Sequence, residues 1–245
     1  MKKILALVLA MMMLACTACA VAEEVKVMTH DEYMAAELWD TVTIEAYVQA
    51  KQGWWQDAAV VYAQAEDGGY FIYNLRMSKE EYDLLVPGTK IRVTGPKIEY
   101  AGEIEIDGRE LDTVYEIIEA EPYIAEAEDV TALLGTDELI DHQNELVAFK
   151  GLKVEAKKDA DNNDVAFLYN WDGSGRAGNN CDLYFDLSYN GATYTFTVES
   201  YLCDENSEVY QAVTQLNIGD IIDLEGFLYW YNGANVHTIK VTKAE

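Results

Sequence analysis

The side chains with the clearest chemical use in this sequence are aromatic. Trp54 and Trp55 follow Gly53, and two adjacent tryptophans in extended backbone point to opposite faces. One is expected to lid a core. The other either packs on an edge or stands free as a stacking platform for a sugar or a base, a contact that contributes about 1–3 kcal/mol per nucleic-acid base. Trp171 and Arg176 bracket a glycine-rich loop and pair a stacking surface with a planar hydrogen-bonding fork. That loop carries neither the Gly-Lys-Ser/Thr of a phosphate loop nor the Gly-x-Ser-x-Gly of a nucleophile elbow. Tyr70, Tyr73 and Trp230 complete the candidate ligand-binding set. Asp159, Asp161 and Asn163 have the spacing that opens a calcium loop, yet Asp164 stands where glycine is needed and Asn170 where the last carboxylate belongs. Calcium is thus the one cofactor suggested, against a solvated acidic turn. His30, His142 and His237 are scattered. No nucleophile–base spacing appears, no catalytic residue is assigned, and His142, alone in an acidic stretch, is expected to hold no metal.

The elements that position these residues come in duplicate. Gly88-Thr89-Lys90-Ile91-Arg92-Val93-Thr94-Gly95 is echoed by Gly219-Asp220-Ile221-Ile222-Asp223-Leu224-Glu225-Gly226, and Tyr100-Ala101-Gly102 by Tyr231-Asn232-Gly233, all at one offset of 131 residues. Apolar residues alternate between the glycines, the period of a half-buried strand. The inner glycines, Gly95 and Gly226, are expected at bulges. A parity shift beyond them would turn Ile98, Tyr100, Tyr229 and Tyr231 inward and Trp230 outward, with His237 half-buried in the place of Ile106. Upstream, Val42 to Val48, Ala59 to Ala65 and Tyr70 to Leu75 read as strands, and Ser78 with Glu81 as the capping box of a short helix. The second copy offers Val147, Phe149 and Gly151, then Cys181 to Leu187, Thr193 to Tyr201 and a helix over Ser207 to Leu216.

The fold class expected is mainly β: two tandem OB-fold-like five-stranded barrels, each with a short helix between strands three and four, preceded by a helical signal peptide. The boundaries are a signal peptide at 1–22, a lead-in segment with a short helix at 23–40, barrel 1 at 41–118, an acidic helical connector at 119–144, and barrel 2 at 145–245 with an insertion at 157–180.

Lys2 and Lys3 before the apolar run Ile4 to Ala15 have the form of a secretory signal. Cleavage after Ala22 and lipidation at Cys16 or Cys19 both remain open, so the chain is expected to be exported, as a secreted or cell-surface lipoprotein touching the membrane only through such an anchor. Cys181 and Cys203 sit at the outer ends of one hairpin, about three residues out of register. In an exported protein they form either a disulfide contributing about 3 kcal/mol or two free thiols. The formal net charge is −27, whereas binding a nucleic-acid backbone needs a basic groove.

Several segments also resemble a known family: Tyr47-Val48-Gln49-Ala50-Lys51, Trp54-Trp55, Val86-Pro87-Gly88-Thr89-Lys90, Val198-Glu199-Ser200-Tyr201-Leu202 and Glu225 to Gly233. They are similar to uncharacterised exported proteins, often lipoproteins, of Gram-positive anaerobic bacteria with tandem OB-like domains. The resemblance implies that fold and an extracytoplasmic setting, and brings no activity with it. The expected function is a non-catalytic binding module for a glycan, peptide or protein partner at the cell surface. The alternatives are single-stranded nucleic-acid binding and a calcium-dependent surface module.

Overall fold

The computed structural model describes residues 25–244; the signal segment, with Cys16 and Cys19, lies outside the described residues. Helix α1 (His30–Ala35) starts at a capping box of Thr29 and Glu32. Barrel 1 follows as β1 (Thr41–Lys51), β2 (Ala58–Ala65), β3 (Gly68–Arg76), helix α2 (Lys79–Leu84), β4 (Lys90–Tyr100) and β5 (Glu103–Asp107), with β6 (Val114–Ile118) added on the far side of β4. β1 pairs with both β2 and β4, and β3 pairs with β5 in parallel, so the five strands close. β7 (Glu128–Asp129) and two 3-10 turns (Thr131–Leu133 and Asp137–His142) form the connector. Barrel 2 comprises β8 (Leu146–Glu155), β12 (Leu183–Tyr189), β13 (Ala192–Val198), helix α3 (Glu208–Thr214), β14 (Ile221–Trp230) and β15 (Ala234–Lys243). The short strands β9 (Lys157–Lys158), β10 (Asp164–Val165) and β11 (Leu168–Tyr169) lie in its insertion. β8 closes this barrel by pairing with β14 and β12. The architecture is two OB-fold-like barrels in tandem.

Alternation fills each barrel as the sequence requires. Val42, Ile44, Ile72, Ile91, Val93 and Ile106 belong to the first core, and Phe149, Phe185, Phe196, Ile222, Leu224 and Leu228 to the second. The expected parity shift beyond Gly95 and Gly226 does not occur. In β4 the inward place after Gly95 goes to Lys97, whose ammonium donates to Met34 O at 2.7 Å and Ala36 O at 2.8 Å while its stem is buried; Tyr100 is exposed. In β14 the inward place goes to Leu228, while Tyr231 is exposed. Both glycines make room: a Cβ on Gly95 would lie 2.9 Å from Ile106 Cγ2, and one on Gly226 2.6 Å from His237 O. Gly226 does sit at a register shift between β14 and β15, as expected, whereas Gly95 pairs with β1 in unbroken register. The bulge with a parity change lies in β8, at exposed Gly151 (φ 67°), where core positions pass from Val147 and Phe149 to Leu152 and Val154.

A third cluster joins the barrels. The outward residues Val60, Tyr62 and Phe71 of β2 and β3 pack on Leu146 and Phe227, with Tyr73, Tyr123, Ala125, Tyr229 and Ile239 around them. Tyr62 stacks on Phe227 at 4.6 Å and its hydroxyl meets His237 Nδ1 at 2.7 Å. Gln64 Oε1 accepts from Leu146 N at 2.8 Å, and Glu103 Oε2 accepts from Trp230 N at 2.7 Å. These buried polar groups find partners across the seam, as burial demands, while Glu103 Oε1 has none.

Candidate functional site

In an OB fold the face of strands two and three, with the flanking loops one–two and four–five, takes the ligand. In barrel 1 that face is the seam, so the accessible part of the rim is the β1–β2 loop. There Gln56 (φ 50°) and Asp57 (φ 58°) are both left-handed, the sign pattern of a type I′ turn, closed by Trp55 N to Ala58 O at 2.9 Å and Ala58 N to Trp55 O at 3.0 Å. Side chains other than glycine in that region cost about 1–2 kcal/mol each. The turn holds Trp55 out from the barrel, 73% exposed. Trp54 does the opposite: its indole donates to Met77 O at 3.0 Å and packs on the first core. One tryptophan is the lid and its neighbour stands free of the barrel.

Around Trp55 lie two open clefts of about 840 and 350 Å³, sharing Trp55, Ala58 and Asn74. The larger is bordered by Arg76 and Arg109, the smaller by Gln52, Tyr73 and Tyr201. β3 bulges where it passes Val60, with Asn74 left-handed (φ 49°). Gly108 lets the chain after β5 run against β3, since a Cβ there would lie 2.5 Å from the Leu75 backbone. Arg109 is thereby set 5.0 Å from the Tyr73 ring and gripped by Asp107 through Nε at 2.8 Å and Nη2 at 2.7 Å. The guanidinium holds the Asp107 carboxyl below its usual range. Arg76 is exposed and has no carboxylate partner among the described residues. Tyr201, 70% exposed, comes from barrel 2, and its carbonyl accepts from Gly53 N at 2.8 Å. Beneath it Glu199 accepts from Gln52 Nε2 at 3.1 Å, with its carboxyl pushed up to about 7 by burial and by Asp182.

Of the residues singled out in the sequence, only Trp55 and Tyr73 meet at these clefts. Tyr70 is buried in the first core, edge-on to His30 at 5.3 Å. Trp230 is half-buried and its ring covers Gly102, where a Cβ would lie 2.7 Å from Trp230 Cδ1; it belongs to the seam, not to an open rim. Trp171 is 75% exposed, but neither it nor Arg176 lines either cleft. Asp159 caps its own turn, Oδ1 accepting from Asp161 N at 2.9 Å and Asn163 N at 2.8 Å and Oδ2 from Asn163 Nδ2 at 3.1 Å. Cys181 and Cys203 are free thiols and not the disulfide set out as one outcome. β13 ends at Val198, and the turn in which Cys203 N donates to Glu199 O at 2.8 Å carries Cys203 onto the second core. Asn74, Arg76, Arg109 and Tyr201 escaped the sequence reading. A glycine directly before Arg109 is the one local sign among them.

No protein-family model and no curated protein matches the chain. Among solved structures it is similar to a murine DNA-binding protein bound to double-stranded DNA, at 13% identity and a TM-score of 0.37, over 83% of this chain and 96% of that one. It is also similar to the p204 HINb domain, at 9% and 0.36 over 85% and 100%, and to a replication protein A heterotrimer bound to single-stranded DNA, at 12% and 0.30 over 84% and 49%. These likenesses concern the course of the chain alone.

Proposed function

We propose that the protein is a non-catalytic binding module and that its ligand is a carbohydrate chain lying across Trp55. The observation that carries this reading is the Trp55 indole, held 73% exposed on a two-residue left-handed turn between two clefts. A flat aromatic at the mouth of a cleft suits the apolar face of a sugar ring. Asn74, Gln52, Arg76 and Tyr201 around it offer the hydrogen bonds that hydroxyls need. The N-terminal basic and apolar run supports an exported setting, where surface glycans are at hand.

Single-stranded nucleic acid is the second reading, favoured by Arg76 and Arg109 beside an exposed indole. The net charge of −27 weighs against it. Titrating tryptophan fluorescence with neutral oligosaccharides, and with single-stranded DNA at two salt concentrations, separates the two. The expected result is saccharide binding that Trp55→Ala weakens at least about tenfold with an unchanged melting temperature. Tight DNA binding that falls steeply with salt and is lost in Arg76→Ala would replace the carbohydrate reading.

A further inference from the structure

Glu128, His142 and Glu145 meet although they come from three segments. Glu128 opens β7, whose parallel pairing with β8 sets it beside Val147. His142 ends the second 3-10 turn. Left-handed Asn144 (φ 69°) then folds the chain so that Glu145 N donates to His142 O at 3.1 Å. His142 Nδ1 lies 2.9 Å from Glu145 Oε2 and 3.8 Å from Glu128 Oε2, and all three donor atoms fall within 4.8 Å of one another. Zinc ligands about 2.0–2.2 Å from the ion stand roughly 3–3.5 Å apart in a tetrahedron, so a small turn of the Glu128 side chain completes the set. His142 and Glu145 are recessed, at 22% and 18% side-chain exposure, while Glu128 is 65% exposed and leaves one side open to water.

The charge around the cluster points the same way. No lysine or arginine occurs between Glu110 and Phe149. Lys150, the next base along the chain, is engaged by Asp129 at 3.1 Å. Among the described residues neither Glu128 nor Glu145 has a lysine or arginine partner, and the two carboxylates face one imidazole.

We infer that Glu128, His142 and Glu145 form a binding site for a divalent transition metal of the zinc type, which clamps the connector to barrel 2. One imidazole nitrogen with two carboxylates is a donor set suited to zinc, whereas calcium and magnesium take oxygen ligands alone. The test is calorimetric titration of the full chain, stripped with a chelator, with zinc chloride, alongside melting curves. The expected result is one zinc ion per chain with a raised melting temperature, no comparable binding of magnesium, and affinity at least about tenfold weaker in Glu128→Gln and in His142→Ala. Because Glu128 is exposed, its glutamine variant should melt like the parent without metal, which separates ligand loss from misfolding. Zinc binding unchanged in both variants, as for an ion held by Cys181 or Cys203, overturns the inference. So does the absence of zinc binding by the parent chain.

Discussion

The two barrels share a strand order and treat the equivalent face in opposite ways. In barrel 1 the outward side of strands two and three is Val60, Tyr62 and Phe71, and barrel 2 covers it. In barrel 2 the corresponding side carries Tyr184, Asp186, Ser188, Thr193 and Thr195, half-buried or exposed. Those polar groups satisfy one another: Asp186 takes Lys157 and Thr195 at 2.7 Å each, and Glu155 takes Ser188 at 2.7 Å. The lesson is that topology nominates a face and side chains decide its use. An aromatic face became a joint, which moved the open aromatic surface of barrel 1 to the Trp55 turn at its edge. The joint also presents Tyr201 of one barrel to the cleft of the other.

The sharpest way to break this contrast is to remove the anchor of the joint. Phe227 is buried and stacked on Tyr62, so Phe227→Ala should cost about 3–5 kcal/mol. At about 2–4 °C per kcal/mol for a chain of this size, the melting temperature should drop by roughly 10 °C. Calorimetry should then resolve two transitions where the parent chain shows one. Thr195→Ala, on the open face, should stay within about 0.5 kcal/mol of the parent. A Phe227→Ala protein that melts as the parent does would reduce the seam to an incidental contact.

Acidity probes the same joint more gently. Glu103 is fully buried, with Oε1 lacking a partner, and burial pushes its carboxyl up to about 9. Its equivalent at the 131-residue offset is Ala234. His237, across from Tyr62, is pushed down to about 3 by burial, and its equivalent is Ile106. Both are held neutral, with opposite consequences. Glu103 has an unfolded value of about 4.3, so its stabilisation is complete below that pH and is lost as pH rises to about 9. Glu105, raised to about 7 by burial and Asp107, adds to the same limb. His237 has an unfolded value of about 6.5, so its stabilisation is present above that pH and is lost as pH falls toward 3. Melting temperature should peak in mildly acidic solution and fall on both sides. Glu103→Gln, which keeps an acceptor for Trp230 N, should flatten the alkaline limb. An alkaline limb as steep as before would mean that Glu103 is not the group responsible.

Much of each barrel was legible because its signals are local. The glycine-punctuated repeat, the capping box at Ser78 and the division of labour between Trp54 and Trp55 follow from period, turn chemistry and the opposed faces of a strand. The joint was not legible, because alternation says that Tyr62 and Phe71 point outward and cannot say what covers them. Trp230 was misplaced for the same reason: its neighbour Gly102 lies in the other barrel. Lys97 concealed the continuing parity of β4 by putting a charged residue at an inward place. Arg109 and Tyr201 reach the cleft through a glycine contact and a turn with no periodicity. His142 looked solitary because Glu128 reaches it only through a two-residue parallel pairing, and Glu145 only through the left-handed turn at Asn144.

The smallest contrast between the barrels lies in their equivalent helices. α2 buries no residue, whereas α3 buries Val209, Tyr210 and Val213. α2 relies on its ends: Ser78 Oγ accepts from Glu81 N at 3.2 Å while Glu81 Oε2 accepts from Ser78 N at 2.8 Å. In α3 only the Ser207 side chain caps, accepting from Tyr210 N at 3.3 Å. A helix that packs only the half-buried Tyr82 on the core has little besides that contact and its cap to offset the cost of nucleation. Ser78→Ala should therefore cost about 1 kcal/mol and Ser207→Ala about 0.5 kcal/mol, with amide exchange across α2 accelerating in the first variant and exchange across α3 nearly unchanged in the second. The reverse order would mean that contacts to the barrel wall, such as Tyr82 OH donating to Gln52 O at 3.1 Å, hold α2 in place more firmly than its capping box does.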